Sequence, residues 1–194
     1  MHSERIALAD GGYLVLFEDW LAREQTDALF AELRRSVPWE QRTLQMFGRT
    51  VMQPRLTAWY GDPGAEYAYS GLHYTPLAWS EPLRRVRERV ERTCAHRFNS
   101  VLLNFYRDGN DSVGFHADRE PELGTNPVIA SVSLGEARPF VLKHRRRKNS
   151  KVQLVLPSGS LLLMAGTTQH HYVHALPKRR GAGPRINLTF RWVH

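Results

Sequence analysis

The sequence has little of several residue types, and each shortage excludes a class of protein. Cys94 is the only cysteine among 194 residues, so neither an internal disulfide nor a zinc cluster of thiolates can form. The longest apolar run, "LLLMA" at residues 161–165, is too short to cross a membrane, and the first residues lack the apolar core of a signal peptide. We therefore expect a monomer of a reducing cytoplasmic compartment with no membrane partner. The compact chain favours a bacterial cytoplasm and leaves a nuclear location open.

Acidic residues are also in short supply. Lys and Arg number 27 against 19 Asp and Glu, which gives a formal net charge of +8. Most of the basic residues are arginines, which bind phosphate and carboxylate through two parallel hydrogen bonds. The excess of positive charge favours a polyanionic partner, either nucleic acid or an anionic membrane surface.

Hydrophobic patterning divides the chain into two parts. Residues 1–98 contain two amphipathic segments, at 21–37 and 81–98, which predict helices, and strand-like runs at 13–20 and 55–62. Residues 99–194 contain only short strand-like runs, at 100–106, 127–135, 138–144, 151–157, 159–166, 170–176 and 185–193. Such spacing predicts a β-sandwich or barrel. Since no linker or repeat separates the parts, we expect one domain over residues 1–194, mainly β with flanking α-helices.

A histidine and an aspartate follow the run "SVLLNFY" at a spacing that suits a metal. His116 and Asp118 are two residues apart, so on a strand they share a face. A third ligand is available among His170, His171 and His174 in "QHHYVHALP". Two imidazoles and one carboxylate form the metal site of non-haem Fe(II) oxygenases, although zinc uses similar ligands. The alternative for the His-x-Asp pair alone is a solvated loop.

Polar residues alternate along the last strand. Arg185, Asn187, Thr189 and Arg191 share one face of "PRINLTFRWV". Two arginines within so apolar a strand need an anionic partner, and a dicarboxylate would serve. In "LNFY", Asn104 and Tyr106 also share a face. Each pair alone is compatible with an ordinary solvent-facing strand, but together the pairs predict one pocket for a metal and a dianion.

The ordered set "NFY", "HAD", "HALP" and "RINLTFR" resembles the AlkB family of Fe(II)- and 2-oxoglutarate-dependent nucleic-acid dealkylases. The resemblance covers roughly residues 45–193, including "PRLTAWYGD" and "DSVGFHADREPELG", and is strongest to the compact DNA-repair members. It implies a double-stranded β-helix, or jelly-roll, core with a nucleotide-recognition hairpin region. It also implies Fe(II) ligation by His116, Asp118 and His174, since His174 precedes "ALP" as the second histidine of the family does.

The same resemblance implies the cofactors and the reaction. Arg191 would hold the distal carboxylate of 2-oxoglutarate, and the rest of that pocket would be Asn104, Tyr106, Arg185 and Asn187. With O2 as co-substrate, the family oxidises N-alkyl groups on bases such as 1-methyladenine and 3-methylcytosine in DNA or RNA. The products are the restored base, formaldehyde, succinate and CO2.

Further residues are expected at the substrate. Glu120 would accept a hydrogen bond from the exocyclic amine of the base, and Tyr67 and Tyr69 would form a wall beside it. "QMFGR" resembles the family's hairpin that probes base stacks, so Phe47 would be a wedge and Arg55 would support the same region. Plain packing of these aromatic residues is the alternative. Preference for single or double strands, and for DNA or RNA, stays open.

Two basic segments, "KHRRRKNSK" and "PKRRGAG", lie in predicted loops. As phosphate contacts we expect Arg145, Arg146, Arg147, Lys178 and Arg179. The alternative is a solvated charged face.

Three rival functions keep part of this pattern. The first is a 2-oxoglutarate-dependent hydroxylase or demethylase of a protein or small molecule, for which the basic loops would be incidental. A non-catalytic nucleic-acid module would have a broken ligand set, and none of the expected positions is broken. A zinc hydrolase would leave Arg185 and Arg191 without a role.

Overall fold

The computed structural model describes residues 2–46, 49–69 and 72–194, with side chains described outside residues 44–49 and 67–74. The first half contains β1 (Glu4–Ala7), β2 (Gly12–Phe17), α1 (Arg23–Ser36), β3 (Thr43–Met46), β4 (Arg49–Met52), β5 (Leu56–Gly61), β6 (Tyr67–Tyr69), β7 (Leu72–Tyr74) and α2 (Glu81–Cys94). The second half contains β8 (Ser100–Tyr106), β9 (Val113–His116), β10 (Ile129–Gly135), β11 (Arg138–His144), β12 (Lys151–Leu156), β13 (Leu161–Gly166), α3 (Thr168–His171), β14 (Tyr172–Leu176) and β15 (Arg185–Arg191).

Two antiparallel sheets form the core. The larger has the strand order β1-β2-β13-β10-β15-β8-β5, and the smaller has the order β12-β11-β14-β9. Apolar side chains of both sheets, among them Leu14, Met164, Phe140 and Leu142, pack together in one buried cluster. The structure therefore confirms a mainly β fold of the jelly-roll type. The two sequence halves share the larger sheet, because β5 pairs with β8.

The helices cover the other face of the larger sheet. In α2, the buried residues Leu83, Val86 and Val90 form a stripe at three- and four-residue spacing, which is the period of one helix face. They join Leu33 of α1 and Phe190 of β15 in a second apolar cluster. This packing holds the larger sheet between the helices and the smaller sheet.

The last strand is buried on both faces. Ile186, Leu188 and Phe190 belong to the cluster under the helices. The alternate side chains point between the two sheets, and all four are buried: Arg185, Asn187, Thr189 and Arg191. An apolar face and a polar face on one buried strand mark the place where the interior of the sandwich becomes a binding pocket.

Several sequence predictions differ in their bounds. The helix predicted for residues 81–98 ends at Cys94, since Ala95 takes a left-handed φ of 48°. The strand predicted for residues 170–176 begins only at Tyr172, because His170 and His171 lie in α3. Around residues 67–74, where the sequence analysis predicts no strand, β6 pairs with β7. The hairpin strands expected around "QMFGR" are present as β3 and β4, which pair with each other. Within the described residues, no helix has the length and apolarity to span a membrane.

Candidate metal centre and cofactor pocket

Two histidines face each other across neighbouring strands of the smaller sheet. His116 is the last residue of β9, and its Cα partner on β14 is His174. Their imidazole centroids lie 4.4 Å apart. Because directly opposed residues on antiparallel strands project from the same face, the strand register itself brings these two side chains together.

Asp118, two residues beyond the end of β9, completes a cluster with these histidines. Its Oδ1 lies 4.0 Å from Nε2 of His116, and its Oδ2 lies 4.0 Å from Nε2 of His174. Both separations are too long for hydrogen bonds, yet ligand atoms from the three residues all lie within 4.8 Å of one another. Nδ1 of His116 is 2.9 Å from the carbonyl oxygen of Gly114. That contact assigns the proton of the neutral ring to Nδ1 and the lone pair to Nε2.

The charge states of this cluster suit a metal. Burial lowers the pKa of His174 to about 3, and the charges of His116 and Arg191 act in the same direction. Burial would raise the pKa of Asp118, but the Arg191 guanidinium and the two imidazoles lower it to about 2. The cluster therefore offers a carboxylate and neutral imidazole at physiological pH, which are the ligand forms that a divalent cation requires.

Asp118 is held in place from two sides. Nη2 of Arg191 donates to its Oδ1 over 2.9 Å, and its own backbone N–H donates to Oε1 of Gln169 over 3.0 Å. Its Oδ2 is buried and has no hydrogen-bond partner among the described residues. A metal ion shared with His116 and His174 would satisfy that oxygen, since buried polar atoms without a partner are unfavourable. One carboxylate and two imidazoles fit Fe(II) with coordination positions left open.

A polar pocket adjoins the metal cluster between the two sheets. Apolar residues and the metal cluster itself form part of its lining, and its other lining residues are Arg55, Asn104, Tyr106, Ser131, Arg185, Asn187, Thr189 and Arg191. Strand register explains the set, because Asn187 of β15 is opposite Asn104 of β8 on one side and Ser133 of β10 on the other. Asn187 donates from Nδ2 to Oγ of Ser131 over 2.7 Å. Hydrogen bonds between neighbouring strands therefore fix the orientation of polar side chains in this pocket.

Arg185 is a buried cation without an acidic partner. Its side chain is 1% exposed, and Nη2 donates to Oγ of Ser133 over 2.7 Å. Its Nε has no hydrogen-bond partner among the described residues, and no carboxylate of those residues forms an ion pair with it. Burial lowers the pKa of Arg185 to about 10, which still leaves it charged. A buried guanidinium of this kind requires an anion.

The two arginines of β15 thus have different surroundings. The sequence predicts that Arg191 holds the distal carboxylate of 2-oxoglutarate, but Arg191 donates a hydrogen bond to Asp118 of the candidate metal cluster. Arg185 lies instead beside Tyr106, with its guanidinium carbon 5.7 Å from the ring centroid. Because Arg191 already binds the carboxylate of Asp118 in the candidate metal cluster, the geometry favours Arg185 for the end of the cofactor that would be remote from the metal.

Comparison with known proteins agrees with this geometry. The family model described as the 2OG-Fe(II) oxygenase superfamily matches residues 13–191. The DNA oxidative demethylase ALKBH2 of Mus musculus is 42% identical over 192 residues, which cover 93% of this chain and 79% of the relative. The alpha-ketoglutarate-dependent dioxygenase alkB homolog 3 of Homo sapiens is 39% identical over 189 residues, which cover 92% of this chain and 65% of the relative. The chain belongs to the AlkB family of these oxygenases.

This AlkB-family chain is therefore an Fe(II)- and 2-oxoglutarate-dependent dioxygenase, as the sequence predicts. A solved structure, "The structure of OsALKBH1", superimposes with a TM-score of 0.65 and covers 97% of this chain and all of its own, at 16% identity. That likeness supports the fold.

The residues that the AlkB resemblance assigns to the base lie in three settings. Glu120 is half-buried, and its Oε2 is buried without a hydrogen-bond partner among the described residues. Arg55 was expected beside the hairpin, but it is buried in the cofactor pocket, where Nε donates to Oδ1 of Asn104 over 2.8 Å. Phe47 lies outside the described residues, as do the side chains of Tyr67 and Tyr69 on β6.

The predicted phosphate residues are exposed but not equivalent. The first basic segment connects β11 to β12, as expected for a hairpin loop. In it, Arg147 forms an ion pair with Asp10, whereas Arg145 and Arg146 border a cavity. In the second segment Lys178 is exposed, and Arg179 donates to the Ala137 carbonyl over 2.7 Å.

Sequence reasoning missed two residues that support the site. Gln169 is fully buried and fixes the backbone of Asp118. Arg138 is also fully buried, and it donates to the carbonyl oxygens of Asp108, Asp111 and Pro177, which ties together the loops on either side of the pocket. No local pattern marks Gln169, while an arginine opening the apolar run "RPFVL" was a visible signal.

Proposed function

We propose that this protein repairs DNA by oxidative removal of N-alkyl groups from bases such as 1-methyladenine and 3-methylcytosine. The observation that carries the proposal is the 42% identity, over 93% of the chain, to a relative named as a DNA oxidative demethylase. The metal cluster and the polar pocket supply what that chemistry needs from the chain, a metal site and a site for a dianion.

His116, Asp118 and His174 would hold Fe(II), and Arg185, Tyr106 and Asn104 would hold the distal carboxylate of 2-oxoglutarate. Arg191 would orient Asp118 and the cofactor end nearest the metal. When bound, Fe(II) and 2-oxoglutarate use O2 to oxidise the alkyl carbon, which leaves as formaldehyde while 2-oxoglutarate becomes succinate and CO2. The protein's own contribution is to position these groups and the base, and to exclude water from a pocket with buried walls.

At the base, Glu120 is the residue best supported by its surroundings. Its buried Oε2 lacks a partner among the described residues, and a carboxylate there would accept a hydrogen bond from the exocyclic amine of adenine or cytosine. Tyr67, Tyr69 and Phe47 keep their proposed roles as wall and wedge. A base inside a duplex must leave the stack to reach such a site.

We propose that nucleic acid is held by the basic loops, with Arg145, Arg146, Lys178 and Arg179 as contacts. Arg147 would contribute less, because Asp10 already neutralises it. One copy of the chain supplies the metal cluster and the pocket, so we propose that it acts as a monomer and as one catalytic domain. Its proposed substrate places it in the cytoplasm or wherever the cell keeps its DNA.

Mass spectrometry of a 3-methylcytosine oligonucleotide tests this function. The wild-type protein, with Fe(II), 2-oxoglutarate and ascorbate, should remove the methyl mass from single-stranded or duplex substrate, and the relative rates would define strand preference. His116→Ala should abolish the reaction. His96→Ala, two residues beyond the end of α2, is the matched control and should leave it intact. Succinate formation without loss of the methyl mass would contradict the proposal and would favour a protein or small-molecule substrate.

A further inference from the structure

A cationic cavity lies beside the metal cluster. It has a volume of about 420 Å³ and is lined by Arg119, His144, Arg145, Arg146, His170 and His171. None of these lining residues is acidic. Three segments contribute to it: the one after β9, the end of β11 together with the loop that follows it, and α3. A concave site with cationic walls attracts anions more strongly than the same charges on a flat surface.

The three guanidinium groups in this cavity are available to a ligand. Within the described residues, the side chains of Arg119, Arg145 and Arg146 form no hydrogen bond and no ion pair. Arg147, on the same loop, is by contrast paired with Asp10. In this loop, Arg145 and Arg146 therefore face the cavity, whereas Arg147 anchors the loop to Asp10.

Two of the three lining histidines are engaged within the protein. Nδ1 of His144 accepts the backbone N–H groups of Arg146 and Arg147 over 3.1 and 2.8 Å, and its Nε2 lies 2.8 Å from Asp10. Nε2 of His170 contacts the Thr125 carbonyl and lies 3.1 Å from Oδ1 of Asn126. The guanidinium groups are therefore the main charged donors that the cavity offers an anion.

The cavity and the metal cluster are formed by neighbouring residues. Arg119 follows Asp118 directly in the chain. On α3, Gln169 accepts a hydrogen bond from the backbone of Asp118, and the next two residues, His170 and His171, line the cavity. The short helix is thus a wall shared by the metal cluster and the cavity.

We infer that this cavity seats one phosphodiester of the nucleic-acid strand that carries the target base, with Arg119, Arg145 and Arg146 as its donors. The inference rests on the proposed function and deepens it, because a seated phosphate next to Asp118 would fix which nucleotide reaches the metal. Phosphate contacts position a protein on its strand without reading sequence. The chemistry is shared with free phosphate, so the test has to separate the two sources.

Fluorescence anisotropy with a labelled single-stranded oligonucleotide containing one 3-methylcytosine measures the effect. Arg119→Gln, Arg145→Gln and Arg146→Gln should each weaken binding roughly tenfold, as expected for loss of a charge-assisted hydrogen bond. Replacing all three arginines by Gln removes the whole phosphate contact and should also reduce the slope of log Kd against log salt by about 0.7. Arg23→Gln on α1 removes one exposed positive charge elsewhere and is the charge-matched control, with little expected change.

Methylphosphonate substitution, which removes the charge of one phosphate at a time, locates the contact. One position near the target base should weaken binding to the wild-type protein, and the same substitution should have a smaller effect on each of the three arginine variants, because fewer donors then face that phosphate. If the arginine variants bind more weakly but every methylphosphonate has the same effect on them as on the wild-type protein, the arginines attract the strand only through their general charge, and the inference is wrong. Displacement of the oligonucleotide by millimolar inorganic phosphate, again with equal methylphosphonate effects, would assign the cavity to small anions instead.

The experiments give different results if only the phosphate seat is wrong and if the proposed function itself is wrong. If the wild-type protein binds and demethylates the oligonucleotide while the three variants behave like Arg23→Gln, the cavity is not the phosphate seat. If the wild-type protein turns over 2-oxoglutarate but binds no oligonucleotide at low salt, both the inference and the proposed substrate fail.

Discussion

Within the described residues, the protein contains two clusters of two histidines and one aspartate, and they have the same composition but different hydrogen bonding. Asp118, His116 and His174 form the first, and Asp10, His144 and His171 form the second. Even the arginine partner recurs, since Arg191 binds Asp118 and Arg147 binds Asp10. Residue types alone would therefore predict two equivalent metal sites.

Hydrogen bonding separates the two clusters. In the first, each nearest distance between histidine Nε2 and aspartate oxygen is 4.0 Å, and one buried carboxylate oxygen has no partner among the described residues. In the second, Nε2 of His144 lies 2.8 Å from Asp10, whose other oxygen binds Arg147. Backbone amides donate to Nδ1 of His144, so its Nε2 carries the proton and donates to Asp10. In the second cluster, Asp10, His144 and Arg147 thus form a hydrogen-bonded network, and the unsatisfied ligand atom in the first cluster distinguishes it as the candidate metal site.

The largest expected difference is in metal content. Asp118→Asn removes the anionic ligand, so metal binding should fall from one ion per chain to none and turnover to the level without enzyme. Asp10→Asn should leave one ion per chain. Elemental analysis after loading with Fe(II) or Mn(II) without oxygen measures both. Two ions in the wild-type protein, with one lost in Asp10→Asn, would show that the clusters are equivalent after all.

The arginine partners should differ by a smaller factor. Arg191→Gln removes the group that orients a metal ligand, and such changes weaken metal affinity or activity by roughly 10- to 100-fold. Arg147→Gln breaks an exposed ion pair, so we expect a melting temperature lower by at most about 3 °C.

Arg185→Gln should raise KM for 2-oxoglutarate while metal affinity is retained, as measured by turnover and by metal titration. A rise in KM for Arg191→Gln alone would restore the sequence-based assignment of the distal carboxylate.

The smallest expected difference is in the pH dependence of stability. The pKa of His174 falls from 6.5 to about 3 on folding, mainly through burial, so between those values the unfolded chain binds a proton that the folded protein does not. The free energy of unfolding of the metal-free protein should therefore decrease as pH falls, by up to about 1.4 kcal/mol per pH unit. His174→Gln should flatten this slope in urea titrations.

Asp10 provides the contrast to that measurement. Its hydrogen bond to His144 lowers its pKa below the usual 3.8, so its contribution is present above that pH and is lost only at lower pH. Asp10→Asn should therefore leave the slope between pH 6.5 and 4 unchanged. A flattened slope in this variant would place the titrating group in the second cluster.

The sequence predicted those parts of the site that short spacings encode. Alternation in "RINLTFR" and "LNFY" places Arg185, Asn187 and Asn104 on common strand faces, and the structure brings them into one pocket. The spacing of His116 and Asp118 likewise places both near one point. The jelly-roll fold followed from evenly spaced short strands and from the resemblance to the AlkB family.

The rest depended on contacts between distant segments. Spacing cannot tell Arg185 from Arg191, because both lie on one strand face and only the approach of Asp118 distinguishes them. Arg55 resembled a hairpin residue, but the pairing of β5 with β8 places it at Asn104. The cationic cavity joins residues from three segments of the chain, so no single stretch of sequence could indicate it.

Because β15 is buried on both faces, its pairing register is strongly specified. A slip by one residue would exchange its faces, driving Arg185 and Arg191 into the apolar cluster under the helices and Leu188 into the cofactor pocket. A chain with the wrong register would therefore lose both its core and its pocket. In the native register, the pocket contains a buried cation without an acidic partner, Arg185. The cofactor would then act as a folding ligand, and 2-oxoglutarate at a hundred times its Kd would stabilise the native register by about 2.7 kcal/mol.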